Sequence, residues 1–349
     1  MDEAPNRQVL LIFGEIDELK HVDDPLHKDV SAAARVGDAL FTCCDETAGV
    51  DRLTPDGDAW GNHVHISIGD FICLPGGPGG EMDIEGLMAD MGWLWVIGSH
   101  ALKRGKAKGG RKAALRRLSK IERDPNRMFL GRIPLAERDG APMPVAKDGA
   151  RRVQTVRLGA NKSQLRKWLR NDEHIGPFLE LPCKENGLDI EGIAVRGMRV
   201  WLGLRGPVLR EMAAVLEFEF KVTRSGYLKA RRIDGTRRYR KHLIPTRGLG
   251  IRDLELDGDD LILLTAPVTA ADGVAAIRRW CGAVSVTSSG VVPEADVAVV
   301  RDLPYRGQHD HPEGLVRWDD GEWLVVYDSP APERLDSKPA RLLADIWSE

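Results

Sequence analysis

The sequence predicts an all-β fold, a β-propeller of five blades with six as the alternative, and three observations carry that reading. A hairpin-like segment recurs along the 349 residues, most copies open on an acidic residue, and a strand ending near Leu-Pro or Ile-Pro precedes them. Internal repetition is the signature of stacked supersecondary units, and a propeller blade of four strands needs roughly 40 to 50 residues.

The clearest copies begin Asp83-Ile-Glu-Gly-Leu87, Asp189-Ile-Glu-Gly-Ile193, Ile251-Arg-Asp-Leu-Glu255 and His311-Pro-Glu-Gly-Leu315. Each runs through a Gly- or Asp-containing turn into a β-rich apolar stretch, the pattern of a tight hairpin. A fifth copy, from Ser31 to Asp45, lacks the leading acid and carries Ala32 in its place. The preceding strands end at Pro75, Pro182, Pro245 and Pro304. With the acids at 85, 191, 253 and 313 and Ala32 as the fifth position, the spacings run from 53 to 62 with one gap of 106.

That gap reads as an insertion over 103–175 within the blade after Glu85. Its helix-like segments are Arg111–Glu122 and Asn161–Asn171, the second with Leu165, Trp168 and Leu169 on one face, and one outer strand, Met128–Leu135, falls between them. The apolar run Val9–Phe13 is expected to join the last blade, which would otherwise offer a raw edge. The chain 1–349 then forms one propeller domain.

Asp2 and Glu3 stand where a basic n-region would precede Val9–Phe13, and the run is too short for a signal sequence. No apolar stretch approaches the roughly 18 residues of a membrane helix. Five cysteines, two of them vicinal at Cys43-Cys44 and none in a Cys-x-x-Cys pair, point to reduced thiols in a cytosolic compartment and away from structural zinc.

In a propeller the first strand of every blade lines the channel, with side chains alternating along it. Glu85, Glu191, Asp253 and Glu313 are therefore expected to converge on one funnel. Carboxylates held close repel one another, so such a cluster calls for a cation, arginine partners or shared protons. Hard oxygen ligands on rigid strands suit Ca²⁺ or Mg²⁺, and a nearby histidine admits Mn²⁺ or Zn²⁺. The competing role is structural, each acid capping turn amides or pairing with Arg252, Arg205 or Lys103.

The funnel should also collect His100 and His311, with His309, as acid/base candidates. Ser99, Lys103, Arg205 and Arg252 are candidates for holding a small anionic substrate. The glycine-rich Gly76–Gly80 precedes no helix and reads as a loop, not a phosphate cradle. Trp93, Trp95, Trp201 and Trp323 read as blade packing.

Net charge is −3, yet residues 103–124 carry ten basic and two acidic side chains, and 221–247 carry ten basic and one acidic. The second stretch belongs to an outer hairpin from Val215 to Ile244 that turns at Asp234-Gly235. Within 221–247 Tyr227 and Tyr239 are the only aromatic residues, which is thin support for base stacking. A solvated face that discourages edge pairing is the expected role.

Asp-Ile-Glu-Gly-Leu/Ile, Trp95 to Arg104, Leu204-Arg-Gly-Pro-Val-Leu-Arg210 and Gly248 to Leu254 resemble the bacterial family called domain of unknown function 3616 over nearly the whole chain. That resemblance implies a propeller-like fold and no established activity. A looser likeness, to propeller lactonases and to phytase-like or esterase-like propellers, implies a channel metal on Glu85, Glu191 and Glu313. Ala32 and Asp253-Leu254 depart from that pattern. Two functions fit. One is a divalent-metal-dependent hydrolase of a small phosphoester, ester or lactone; the other is a non-catalytic scaffold binding a protein or nucleic acid through its rim or basic hairpins.

Overall fold

The computed structural model describes residues 4–14, 22, 26–159, 163–269 and 273–349, and the architecture is all-β. Antiparallel meanders follow one another along the chain. The first comprises Val30–Val36, Ala39–Cys44, Gly49–Asp56 and Ala59–Ser67. The second is built from Ile84–Asp90, Trp93–Gly98, Leu130–Arg138 and Ala141–Pro144. The third uses Asp189–Arg196, Arg199–Gly206, Met212–Val222 and Tyr239–Pro245. The fourth uses Gly250–Asp257, Asp260–Ala266, Ala275–Trp280 and Val297–Leu303.

The fifth meander takes His311–Asp319, Glu322–Asp328 and Ala340–Ser348 from the end of the chain and its outer strand, Arg7–Phe13, from the beginning. Arg7 lies opposite Ile346 and Phe13 opposite Ala340, antiparallel. Leu10 and Leu11 also pair in parallel with Ala59 and Trp60, so this strand fuses the fifth meander to the first. Neither meander is left with an open edge there.

The opening strands of the meanders contact one another in a closed ring, each packing against the one before and the one after. Apolar side chains fill the spaces between successive meanders. Ile84 and Val96 share a cluster with Phe41, Ile193 and Leu202 with Trp95, Leu254 with Trp201, Leu315 with Leu264, and Val326 with Leu40. Second strands such as Ala39–Cys44 and Trp93–Gly98 are buried at every residue because a neighbour covers both faces. That explains their unbroken hydrophobic runs.

Two excursions leave the second meander. Lys103–Arg104 pairs with Ile121–Glu122 below a helix at Arg111–Leu118, so the first predicted helix ends four residues early and its tail becomes strand. The second helix spans Gln164–Leu169, begun by Ser163, whose hydroxyl accepts the Arg166 amide at 3.2 Å. The predicted start at Asn161 lies outside the described residues. Leu165 and Leu169 are buried on the expected face. The expected strand from Met128 begins at Leu130 instead, since Pro125–Met128 forms a single 3-10 turn.

The opening strands share one irregularity that positions the site. In each, two residues oppose a single step of the partner strand, between Val30 and Ala32, Ile84 and Gly86, Ile190 and Gly192, Ile251 and Asp253, and Pro312 and Gly314. The unpaired residue of this repeated bulge is Ser31, Glu85, Glu191, Arg252 or Glu313. A bulge re-aims the side chain it leaves unpaired. The residue after it abuts the next meander: a Cβ on Gly192 would stand 2.9 Å from Asp253 C and Leu254 N. Glycine therefore follows glutamate in three copies. Gly192→Ala is expected to destabilise the fold by about 1–3 kcal/mol, the usual cost of overpacking, measured by urea denaturation.

Candidate functional site

A cavity of about 750 Å³ opens over the ring, and Ser31, Glu85, Glu191, Arg252 and Glu313 all line it. Equivalent positions two residues earlier add Asp29, Asp83, Asp189 and His311, and the ends of the second strands add Asp45, Arg205 and Asp328.

Arginine holds the floor together. Arg205 Nη1 donates to Glu191 Oε1 at 2.6 Å and to Asp189 Oδ2 at 3.3 Å. Arg252 Nη1 donates to Glu191 Oε2 at 3.0 Å and lies 2.6 Å from each oxygen of Glu313. Glu191, 1 % exposed, is thus clasped between arginines from its own meander and the next. Each arginine also donates to backbone, Arg205 Nε to Val268 O at 3.0 Å and Arg252 Nη2 to Pro267 O at 3.2 Å. Buried ions persist when paired and hydrogen-bonded in this way.

Glu85 differs. No donor among the described residues reaches its carboxyl. Burial, then the charge of Glu191, then Asp83 and Glu313 push its pKa well above the usual carboxylate range. Burial also raises Glu313 to about 8 against the pull of Arg252. Asp83 rises to about 7 by burial, although Arg127 sits 2.5 Å away. The floor combines acids paired with arginine, Asp189, Glu191 and Glu313, with Glu85, which has no such partner among the described residues.

The four acids expected to hold a metal do not form one ligand set. Asp253 does not line the cavity. Its Oδ1 accepts the Leu254 amide at 2.7 Å and its Oδ2 accepts Leu315 N of the fifth meander at 2.8 Å. It occupies the glycine position of the repeat, and Arg252 occupies the glutamate position; a slip of one residue along a strand reverses the face. For Glu191 and Glu313, the positive charge expected from a metal is supplied by Arg252. Asp253→Ala is expected to cost about 1–3 kcal/mol by orphaning the Leu315 amide, seen as a lower urea midpoint, without altering ligand binding in the cavity.

Acidic groups that could hold an ion lie elsewhere. Asp29, Cys44 and Asp45 bring their ligand atoms within 4.8 Å of one another at the cavity rim, and Asp172, Glu173 and His174 do so on the outside. Burial lifts Asp29 to about 10, aided by a hydrogen bond shared with Asp45. Asp45 Oδ1 is buried without a partner among the described residues.

His100 is not a cavity residue. Its Nε2 lies 3.2 Å from Phe129 O and its Nδ1 3.2 Å from Ser163 Oγ, so the ring ties the second meander to the helix Gln164–Leu169. Burial, with Arg166 nearby, lowers it to about 3 and keeps it neutral. His311 does line the cavity, raised by its hydrogen bond with Asp328, and His309 lines it too. Ser99 is fully buried, its hydroxyl accepting the Ala101 amide at 3.2 Å. Lys103 is held by Glu81 at 2.5 Å and Asp124 at 2.8 Å.

Sequence reasoning missed Ser31, Asp29 and Arg127. Asp29-Val-Ser31 is in register with Asp83-Ile-Glu85, which counting from Ala32 concealed. The glycines of Gly76–Gly80 wrap the Asn126 side chain, which donates to Gly77 O and Gly80 O at 2.9 Å and accepts Gly76 N at 2.8 Å.

Among the described residues no helix is long and apolar enough to cross a membrane. Among solved structures, the chain is similar to glutaminyl cyclase of Myxococcus xanthus at 8% identity, covering 99% of this chain and 96% of that one, TM-score 0.40. It is also similar to the PQQ-bound aldose sugar dehydrogenase of Streptomyces coelicolor at 10% identity, covering 99% and 100%, TM-score 0.39. Streptogramin B lyase gives 10% identity, 99% coverage of both chains and a TM-score of 0.36. No curated protein matches the chain. Residues 29–345 match the family described as protein of unknown function (DUF3616), and the chain belongs to that family.

Proposed function

We propose that the five meanders are the blades of one propeller, with 103–175 inserted in the second, and that its funnel hydrolyses a small ester or lactone. The observation that carries this reading is Glu85, a half-buried carboxyl with no hydrogen-bond donor among the described residues, set in the cavity with Glu191 and Glu313, whose charges help push its pKa well above the usual carboxylate range.

A carboxylic acid protonated near neutrality is a general acid. Glu85 donates its proton to the leaving oxygen as the acyl bond breaks. Glu313, titrating near 8, takes the proton of the attacking water, and transfer between the two carboxyls resets the site. Arg205 and Arg252 are already engaged by Asp189, Glu191 and Glu313, which favours an uncharged ester or lactone over a phosphoester. No step runs through a metal. Of the acidic groups, Asp29 with Asp45 supports Ca²⁺ or Mg²⁺ at the rim better than the glutamates do.

The test is a panel of short-chain esters, lactones and phosphomonoesters assayed from pH 5 to 10, with and without EDTA. Ester or lactone turnover that survives EDTA and rises towards pH 8 is expected. No turnover across the panel, or turnover indifferent to Glu85→Gln, overturns the reading.

A further inference from the structure

Outside the funnel, an excursion of the second meander meets the outer hairpin of the third, with Val156 bridging Leu228. Two cavities, about 350 and 450 Å³, adjoin there and share Arg157 and Gln164. Their sizes fall at the lower end of small-ligand sites.

The lining is cationic and aromatic together. Seven arginine or lysine side chains face the two cavities against one acid, Glu180, in a protein whose net charge is −3. Glu180 is already taken by Arg123 and Arg166. Among the described residues no carboxylate pairs with Arg157, Lys229, Arg238, Lys167 or Arg170. The Arg157 guanidinium lies 5.0 Å from the centre of the Tyr227 ring, and Arg238 lies 6.0 Å from that of Trp168. Trp168 is fixed from behind by Phe218 and Phe220 at 5.9 and 6.3 Å, so its position is set by the core. Tyr239, the other aromatic residue of the basic stretch, is buried with its hydroxyl on Asp172 and takes no part.

Arginines oriented over rings, with no acid to neutralise them, suit a ligand that offers anionic groups and flat π-faces at once. We propose that this cleft binds single-stranded nucleic acid, one base against Tyr227 and Trp168 and the backbone phosphates along Arg157, Lys229 and Arg170. An acidic peptide would use the cations and leave the rings idle. A duplex keeps its bases stacked and offers none to the rings. Stacking platforms combined with basic grooves are the recurring solution for single strands.

The experiment is fluorescence anisotropy of labelled 12-nucleotide oligo(dT) and oligo(rU) in 50 to 200 mM KCl, with an unlabelled poly-glutamate peptide as competitor. Saturable binding of either oligonucleotide is expected, its logarithmic salt slope near −2, about −0.7 per phosphate contacted for three contacts. Arg157→Gln with Lys229→Gln should reduce that slope by about 1.4. Tyr227→Ala should weaken binding about 5- to 100-fold with the slope unchanged, the size expected for one stacked base. All three side chains are exposed or half-exposed, so the variants should keep the parent melting temperature. Absence of binding at 50 mM KCl overturns the proposal. So does binding that Tyr227→Ala leaves untouched and poly-glutamate displaces, which assigns the cleft to acidic peptides.

Discussion

Glu85→Gln is expected to lower ester or lactone turnover by about 10²–10⁴-fold, the usual contribution of a general acid, while raising the melting temperature at pH 8. The two effects share one cause. Glu85 keeps its proton in the folded chain well past the point where an unfolded chain loses it. Between the ordinary glutamate range and the raised folded value, folding must take up a proton, which costs about 1.4 kcal/mol per pH unit.

The sign follows directly. A carboxyl with a raised folded pKa leaves stability intact at low pH and erodes it as pH climbs towards the folded value. Glu313, raised to about 8, and Asp83, raised to about 7, act in the same direction. Asp172, lowered to about 2, acts oppositely only below pH 4, while buried His100 and His27, lowered to about 3 and about 4, act oppositely up to their unfolded value near 6.5. The parent protein should therefore melt lower at pH 8 than at pH 7, and glutamine at 85 should narrow that difference. Each kcal/mol is worth about 2–4 °C at this scale. A melting difference between variant and parent that stays flat from pH 5 to pH 8 would count against a protonated Glu85.

Arg252→Met should be the most damaging single change in the funnel, about 3–5 kcal/mol, because removing one partner leaves buried charge uncompensated. Glu313 loses its guanidinium altogether, whereas Glu191 keeps Arg205. Adding Glu313→Gln should recover part of the loss, since contacting residues couple by about 0.5–3 kcal/mol. Urea denaturation of both single variants and the double variant measures this. Strict additivity would show that Arg252 acts mainly through packing.

The hairpins that open four of the meanders and the pairing of Arg7–Phe13 with the last strand were legible in the sequence, since each leaves a mark in local pattern. Glu85, Glu191 and Glu313 were legible as a converging set for the same reason. Arg252 and Asp253 were not correctly sorted, because a bulge adds one residue to the strand without changing composition. His100 misled because proximity along the chain to Ser99 says nothing of the left-handed turn at His100, φ 55°, where the chain leaves the strand. Trp168 joined Tyr227 through tertiary packing between segments some sixty residues apart, which no local window contains.

The strand Arg7–Phe13 also governs how the molecule is made. Its hydrogen-bonding partner, Ala340–Ser348, emerges from the ribosome more than three hundred residues later. Until then Val9, Leu11 and Phe13 must wait without their final cover, through the long-range closure that slows folding and exposes nascent chains to aggregation. Biosynthesis thus leaves a prolonged interval in which a chaperone, or a second unfinished copy, can occupy the seam before the chain's own tail arrives.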